Sequence, residues 1–280
     1  MVDVNLLSFS LPLEAKAKLE WELEKWGQKG VRRKVKEWQQ IAGWINWALN
    51  VYPLLQTALN NIYAKIRGKG QDARIWANKA IKEDLEWARK KVSVSDGVLL
   101  LKSLSWEVNE GTCVMETNAC PEGMAFWCQV MKKGFALSTP PGTPANQIIF
   151  YEALAVLSAL CNAHLTWPSW SRIVIFTDNL TTVAMFNSLW ALPEYNCILK
   201  VAINILLEGK HDLWVLHILG RSNLIADALS HLSLWRHCWS NRVLLFAVLS
   251  LTISVRGCST LSDISSNISP SPLYIPPHRC

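Results

Sequence analysis

The run RIVIFTDN (172–179) constrains the fold more than any other stretch of this chain. Four consecutive apolar residues, all of them β-branched or aromatic, are too short for a core helix. They do not alternate with polar ones, so both faces of the segment are covered. That is the signature of a central strand in a sheet layered between helices. The run stops at once on Thr177, Asp178 and Asn179, which leaves a carboxylate at the end of a buried strand.

The flanking segments agree with this reading. NQIIFYEALAVLSALCNAHL (146–165), LTTVAMFNSLW (180–190) and the stretch from about Glu194 to Glu208 read as helices, and DLWVLHILG (212–220) as another strand. SNLIADALSHL (222–232) reads as a last helix capped by Ser222 or Asn223. Ahead of them VLLLK (98–102), GTCVMETN (111–118), GMAFWCQV (123–130) and GFALS (134–138) are strand-like, separated by the turn signals PEG, KKG and TPPGTP. A meander followed by alternation predicts an α/β fold, a mixed sheet with flanking helices.

Residues 1–92 differ. Helical spacing recurs over 12–30, 37–50, 53–66 and 72–91, which predicts a small all-α domain, with the α/β domain following at 93–235. Residues 1–92 also hold 17 Lys and Arg against 10 Asp and Glu, while the whole chain has a net charge of +6. A basic N-terminal third suits a polyanion such as nucleic acid, and Lys29, Arg32, Arg33 and Lys34 form its densest cluster. The fifteen Trp residues are read as core packing.

Residues 236–280 are a third segment, an apolar stretch followed by a Ser/Pro-rich tail expected to be disordered. Its run VLLFAVLSLTISV (243–255) is shorter than the ~20 residues needed to span a bilayer, so no stable membrane insertion is expected. The eight Cys contain no CxxC pair, and no zinc-like His spacing completes them. With no signal-peptide pattern at the N-terminus, the expected location is intracellular, cytoplasmic or nuclear.

Asp178, Glu152 within FYEALAVLSAL and Asp227 within LIADAL stand at element ends or in apolar settings. Ionised acids there are costly unless paired or bound to a metal. The ends of central strands meet at one edge of a sheet, so residues 118 and 178 are expected to converge there and the helical acids to join them. Such an oxygen cluster suits Mg²⁺. Two ions about 4 Å apart would serve in-line hydrolysis of a nucleic-acid backbone.

The strings TNACPEG, FYEAL, TDN and HILGRSNLIADALSH resemble the ribonuclease H domain of retroelement reverse transcriptases, in particular the forms of fungal retrotransposons. The stretch EWQQIAGWINWALNVYPLLQTALNNIYAKIRG (37–68) resembles the helical thumb and connection region that precedes that domain. No YxDD-like polymerase motif occurs, and the resemblance implies a piece of a longer polyprotein. It implies hydrolysis of the RNA strand of an RNA–DNA hybrid, with Mg²⁺ or Mn²⁺ as cofactor and two ions in an active site. The metal-binding acids fall on Glu152, Asp178 and Asp227, which would be the catalytic residues, while the first falls on Asn118. Asn offers a carbonyl oxygen but no charge. Losing that charge is expected to cost at least the ~10–100-fold of a lost outer-sphere partner, so the resemblance also admits a pseudoenzyme that only binds nucleic acid. Glu116, two residues earlier, lies on the same strand face about 6.6 Å away and is not expected to substitute. The family's Pro and closing Arg are Leu219 and His231 here, and His217 is read as a structural residue at a strand end.

Overall fold

The computed structural model describes residues 2–5, 7–28, 32–95, 97–100, 106–139 and 148–231. Lys29 and the expected third segment, with its apolar run and Ser/Pro tail, lie outside the described residues. Two compact units are present: Met1–Glu107 with Leu189–Asn196, and Val108–Ser188 with the described part of Cys197–Cys280.

The first unit is mainly helical but also carries short strands. In chain order it contains β1 (Val2–Asp3), β2 (Ser8–Ser10), α1 (Leu13–Gly27), β3 (Arg32–Lys34), α2 (Val35–Ala48), a 3₁₀ turn at Pro53–Leu59, α3 (Asn60–Ile66), β4 (Arg74–Trp76), α4 (Lys79–Val94) and β5 (Val98–Leu100). Strands β3 and β4 form an antiparallel ladder that pairs Arg32 with Trp76 and Lys34 with Arg74. Three-residue strands have no periodicity to read, which is why the helical pattern hid them. Leu19, Leu23, Trp38, Ile45, Leu59, Ile62, Ile81 and Leu85 fill the core. Within it Asp84 is fully buried, and its Oδ2 accepts from Asn61 Nδ2 at 2.6 Å and Asn196 Nδ2 at 3.1 Å. Several tryptophans depart from the core reading: Trp21, Trp76, Trp170 and Trp190 are exposed. Lys25, Arg32, Lys210 and Arg67 respectively lie over their rings, so cations shield those faces in place of apolar packing.

The second unit contains β6 (Cys113–Ala119), β7 (Gly123–Cys128), β8 (Lys133–Ser138), α5 (Ile148–Thr166), β9 (Arg172–Thr177), α6 (Leu180–Ser188), α7 (which starts at Asn196 in the first unit and runs to Gly209), β10 (Asp212–His217) and α8 (Leu224–Ser230). The sheet order is β10-β9-β6-β7-β8. Strands β6, β7 and β8 pair antiparallel, whereas β9 runs parallel to both β6 and β10. This is the mixed sheet with flanking helices that the resemblance implies. The apolar run lies second from one edge, and Ile173, Val174 and Ile175 are fully buried.

Helix α5 is buried nearly all round and packs on β6, β7 and β9. By length and composition it could cross a membrane, and 61% of its apolar window is buried inside the protein. Helix α8 lies across β6, β7 and β8. Its approach depends on Gly123, where a Cβ would stand 2.6 Å from the Ser230 carbonyl oxygen and 2.8 Å from that of Leu137.

Candidate active site

Strand β6 organises the site. The parallel register pairs Thr117 with Thr177, so Asn118 and Asp178 are the next residues along two neighbouring strands, at the same sheet edge. Asn118 is buried, and its Nδ2 donates to Asp227 Oδ1 at 3.0 Å and Ser230 Oγ at 2.9 Å, both on α8. The following residue, Ala119, donates its backbone N–H to Glu152 Oε1 at 3.1 Å. Two successive residues of one strand therefore hold a carboxylate on α5 and another on α8.

Glu152 is 4% exposed, and its Oε2 accepts from Thr177 Oγ1 at 3.3 Å. Burial pushes its pKa up to about 7; the Ala119 N–H opposes this, the Asp178 charge adds to it, and Thr177 opposes it. None of these neighbours is cationic.

Asp178 is half-buried in the link between β9 and α6. Asn179 fixes that link: its Oδ1 accepts from Thr182 N–H at 2.9 Å, and its own N–H donates to Thr177 Oγ1 at 3.3 Å. Across from it is Gly220, where a Cβ would come within 3.1 Å of Asp178 Oδ2. A side chain at this position of the HILGRSN string would therefore crowd the acid.

Asp227 corrects one expectation. It is not in an apolar setting, because its side chain is 53% exposed. One helical turn on, His231 Nε2 lies 3.6 Å from Asp227 Oδ1. Asn223 occupies the N-cap position of α8 without capping it. Its Nδ2 instead donates to Thr117 O at 2.8 Å, which pins the start of α8 to β6.

Glu116 does not join the group, since its Oε1 accepts from Gln129 Nε2 at 2.6 Å. His217 is exposed at the end of β10, paired in register with Thr177. Of the basic cluster, Arg33 is half-buried, with its guanidinium 4.1 Å from the Trp26 ring centre; burial lowers its pKa against the pull of Glu37 and Glu22. Lys34 is paired with Asp72 at 2.8 Å. Arg32 is the exposed member.

Sequence reasoning missed Ser230, Asn179 and Gly220 as members of the site. The Asn after the strand-end acid and the Gly after Leu219 were visible, but only the register shows what they face.

In chemistry the donor set suits a hard divalent cation, although as placed its three carboxylates do not all come within 4.8 Å of one another. It is all oxygen, it contains three carboxylates, and its buried member has no cationic partner among its neighbours. Both donor hydrogens of Asn118 are directed at Asp227 and Ser230, which leaves its carbonyl oxygen as the atom it can offer.

No protein-family model matches the chain, and no curated protein matches it. Solved structures do. A ribonuclease H1 in complex with an RNA/DNA hybrid is 14% identical with a TM-score of 0.35, over 42% of this chain and 93% of that one. Ribonuclease H1 from the halophilic archaeon Halobacterium salinarum is 18% identical with a TM-score of 0.33, over 43% of this chain and 97% of that one. A foamy viral protease–reverse transcriptase in complex with double-stranded DNA is 15% identical with a TM-score of 0.27, over 68% of this chain and 40% of that one. At these values the likenesses carry no argument about activity.

Proposed function

We propose that this chain is a ribonuclease H-type protein of retroelement descent, of the kind found in fungal retrotransposons. Its substrate is the RNA strand of an RNA–DNA hybrid, and its hydrolytic centre is impaired at Asn118. The observation that supports this reading is that Asn118 binds Asp227 and Ala119 binds Glu152, while Asp178 follows the neighbouring strand β9 in register with them.

Glu152, Asp178 and Asp227, with the Asn118 carbonyl, would hold Mg²⁺ or Mn²⁺. When bound, the ion would polarise a phosphodiester oxygen and ease deprotonation of the attacking water. Asp178 and Asp227 bring charge to the open edge of the sheet. Glu152 is held in one orientation from both sides by Ala119 and Thr177. Asn118 weakens the centre twice: it lacks the charge expected to serve both ions, and its N–H occupies an Asp227 oxygen that a cation would need. The same hydrogen bond favours a second reading, a catalytically inactive nucleic-acid-binding remnant. In both readings Arg32, with Arg33 and Lys34 beside it, serves as a phosphate contact on the first unit.

Cleavage of a labelled RNA–DNA hybrid with Mg²⁺ or Mn²⁺, run beside Asn118→Asp, tests the proposal. The variant is expected to cut at least 10–100-fold faster than the natural chain, at or above the ~10–100-fold of a lost outer-sphere partner. Equal cutting by both would remove the impairment. No cutting by either folded protein would leave the binding remnant.

A further inference from the structure

The turn between β6 and β7 and the end of α8 bring together three side chains that the acid cluster does not use as ligands. One donor atom each from Cys120, Glu122 and His231 lies within 4.8 Å of the other two. His231 Nδ1 is 3.5 Å from Glu122 Oε2. Ions that take thiolate, imidazole and carboxylate at about 2.0–2.3 Å in a tetrahedron place their ligand atoms about 3.5 Å apart, so the group needs little adjustment to close on one.

The turn is held independently of any ion. Cys120 N–H donates to Gly123 O at 2.7 Å, and Thr139 N–H donates to Glu122 O at 3.1 Å. Thr139 Oγ1 also donates to Pro121 O. Cys120 is buried, whereas the side chains of Glu122 and His231 are 57% and 48% exposed. Three protein ligands that face solvent on one side leave a fourth position for water. His231 carries a further feature of a metal ligand: its other ring nitrogen, Nε2, faces the Asp227 carboxylate at 3.6 Å. A small closure of that distance would let the carboxylate orient the ring with Nδ1 toward the ion.

We propose that Cys120, Glu122 and His231 form a transition-metal site selective for Zn²⁺ over Mg²⁺, with Asp227 as the carboxylate that orients His231. Softness sets the selectivity, because thiolate and imidazole are poor ligands for Mg²⁺. The proposal goes beyond the hydrolytic reading and does not depend on it. The two sites meet at Asp227, whose Oδ1 also accepts from Asn118. Zinc bound to His231 would hold that carboxylate in place.

The test is titration of the metal-free full chain with Zn²⁺ by calorimetry and with Co²⁺ by absorption, in excess Mg²⁺. One ion per chain and a thiolate-to-cobalt charge-transfer band are expected. Cys120→Ser should abolish the band. The exposed His231→Gln should weaken Zn²⁺ binding more than 10-fold without unfolding the chain, and Asp227→Asn by about 10–100-fold. Absence of stoichiometric binding by the folded chain, a cobalt spectrum without the thiolate band, or unchanged affinity in His231→Gln would each overturn the site. None of these readings uses hybrid cleavage, so the hydrolytic proposal stands or falls separately.

Discussion

At the scale of single residues, Glu152 carries the sharpest consequence. Its pKa is about 7 in the folded protein against 4.5 for an ordinary Glu. The native state therefore holds a proton that the unfolded chain has released between those values. Its contribution to stability is fully present below about pH 4.5 and is lost as pH rises through about 7. At roughly 1.4 kcal/mol per unit the full effect is of order 3 kcal/mol. Chemical denaturation at pH 5 and pH 8 should show the natural chain losing stability relative to Glu152→Gln over that interval. Mg²⁺ should recover part of the loss at pH 8, since a bound cation favours the ionised carboxyl. A parallel pH dependence of the two proteins would show that Glu152 is not the titrating group.

At the scale of elements, the site depends on α8 lying close to the sheet. Gly123 permits this, because a Cβ there would strike two backbone carbonyls, Ser230 O and Leu137 O, neither of which can rotate away as a side chain can. Gly123→Ala is expected to cost about 1–3 kcal/mol, the range for an overpacked core, measured by denaturant unfolding. It should also displace Asp227 and His231 together, so the Co²⁺ thiolate band should weaken in a variant that keeps all the proposed ligands. A stable variant with an unchanged band would show that α8 does not need this contact. Asn223 acts on the same helix from its other end, through Thr117 O.

At the scale of the whole molecule, charge and chemistry are divided between the two units. The basic excess lies in residues 1–92, while Glu152, Asp178 and Asp227 lie in the second unit. Binding of the full chain to an RNA–DNA hybrid should weaken steeply with salt as counterions are released from phosphates. Arg32→Ala should lower the salt slope by about 1, as for one lost phosphate contact. Lys34→Ala should lower it less, because Lys34 is already paired with Asp72. A flat salt dependence would remove the basic cluster as a phosphate contact.

The mixed sheet and its helices were legible in the sequence because burial on both faces, turn residues and helical spacing are local signals. RIVIF needs no partner to declare itself a buried strand. The short strands of the first unit were not legible, since three residues carry no period, and the exposed tryptophans were misread because hydrophobicity alone cannot report a cation above a ring. What the tertiary structure alone decided is which polar groups meet. It set Asn118 against Asp227 and Ser230, tied Glu152 to the backbone of Ala119, and brought Cys120 and Glu122 to His231 across more than a hundred residues of chain. The physical reason is register. A strand pattern specifies which residues lie on one face, but only pairing with neighbouring strands and docking of α8 fixes what each side chain touches.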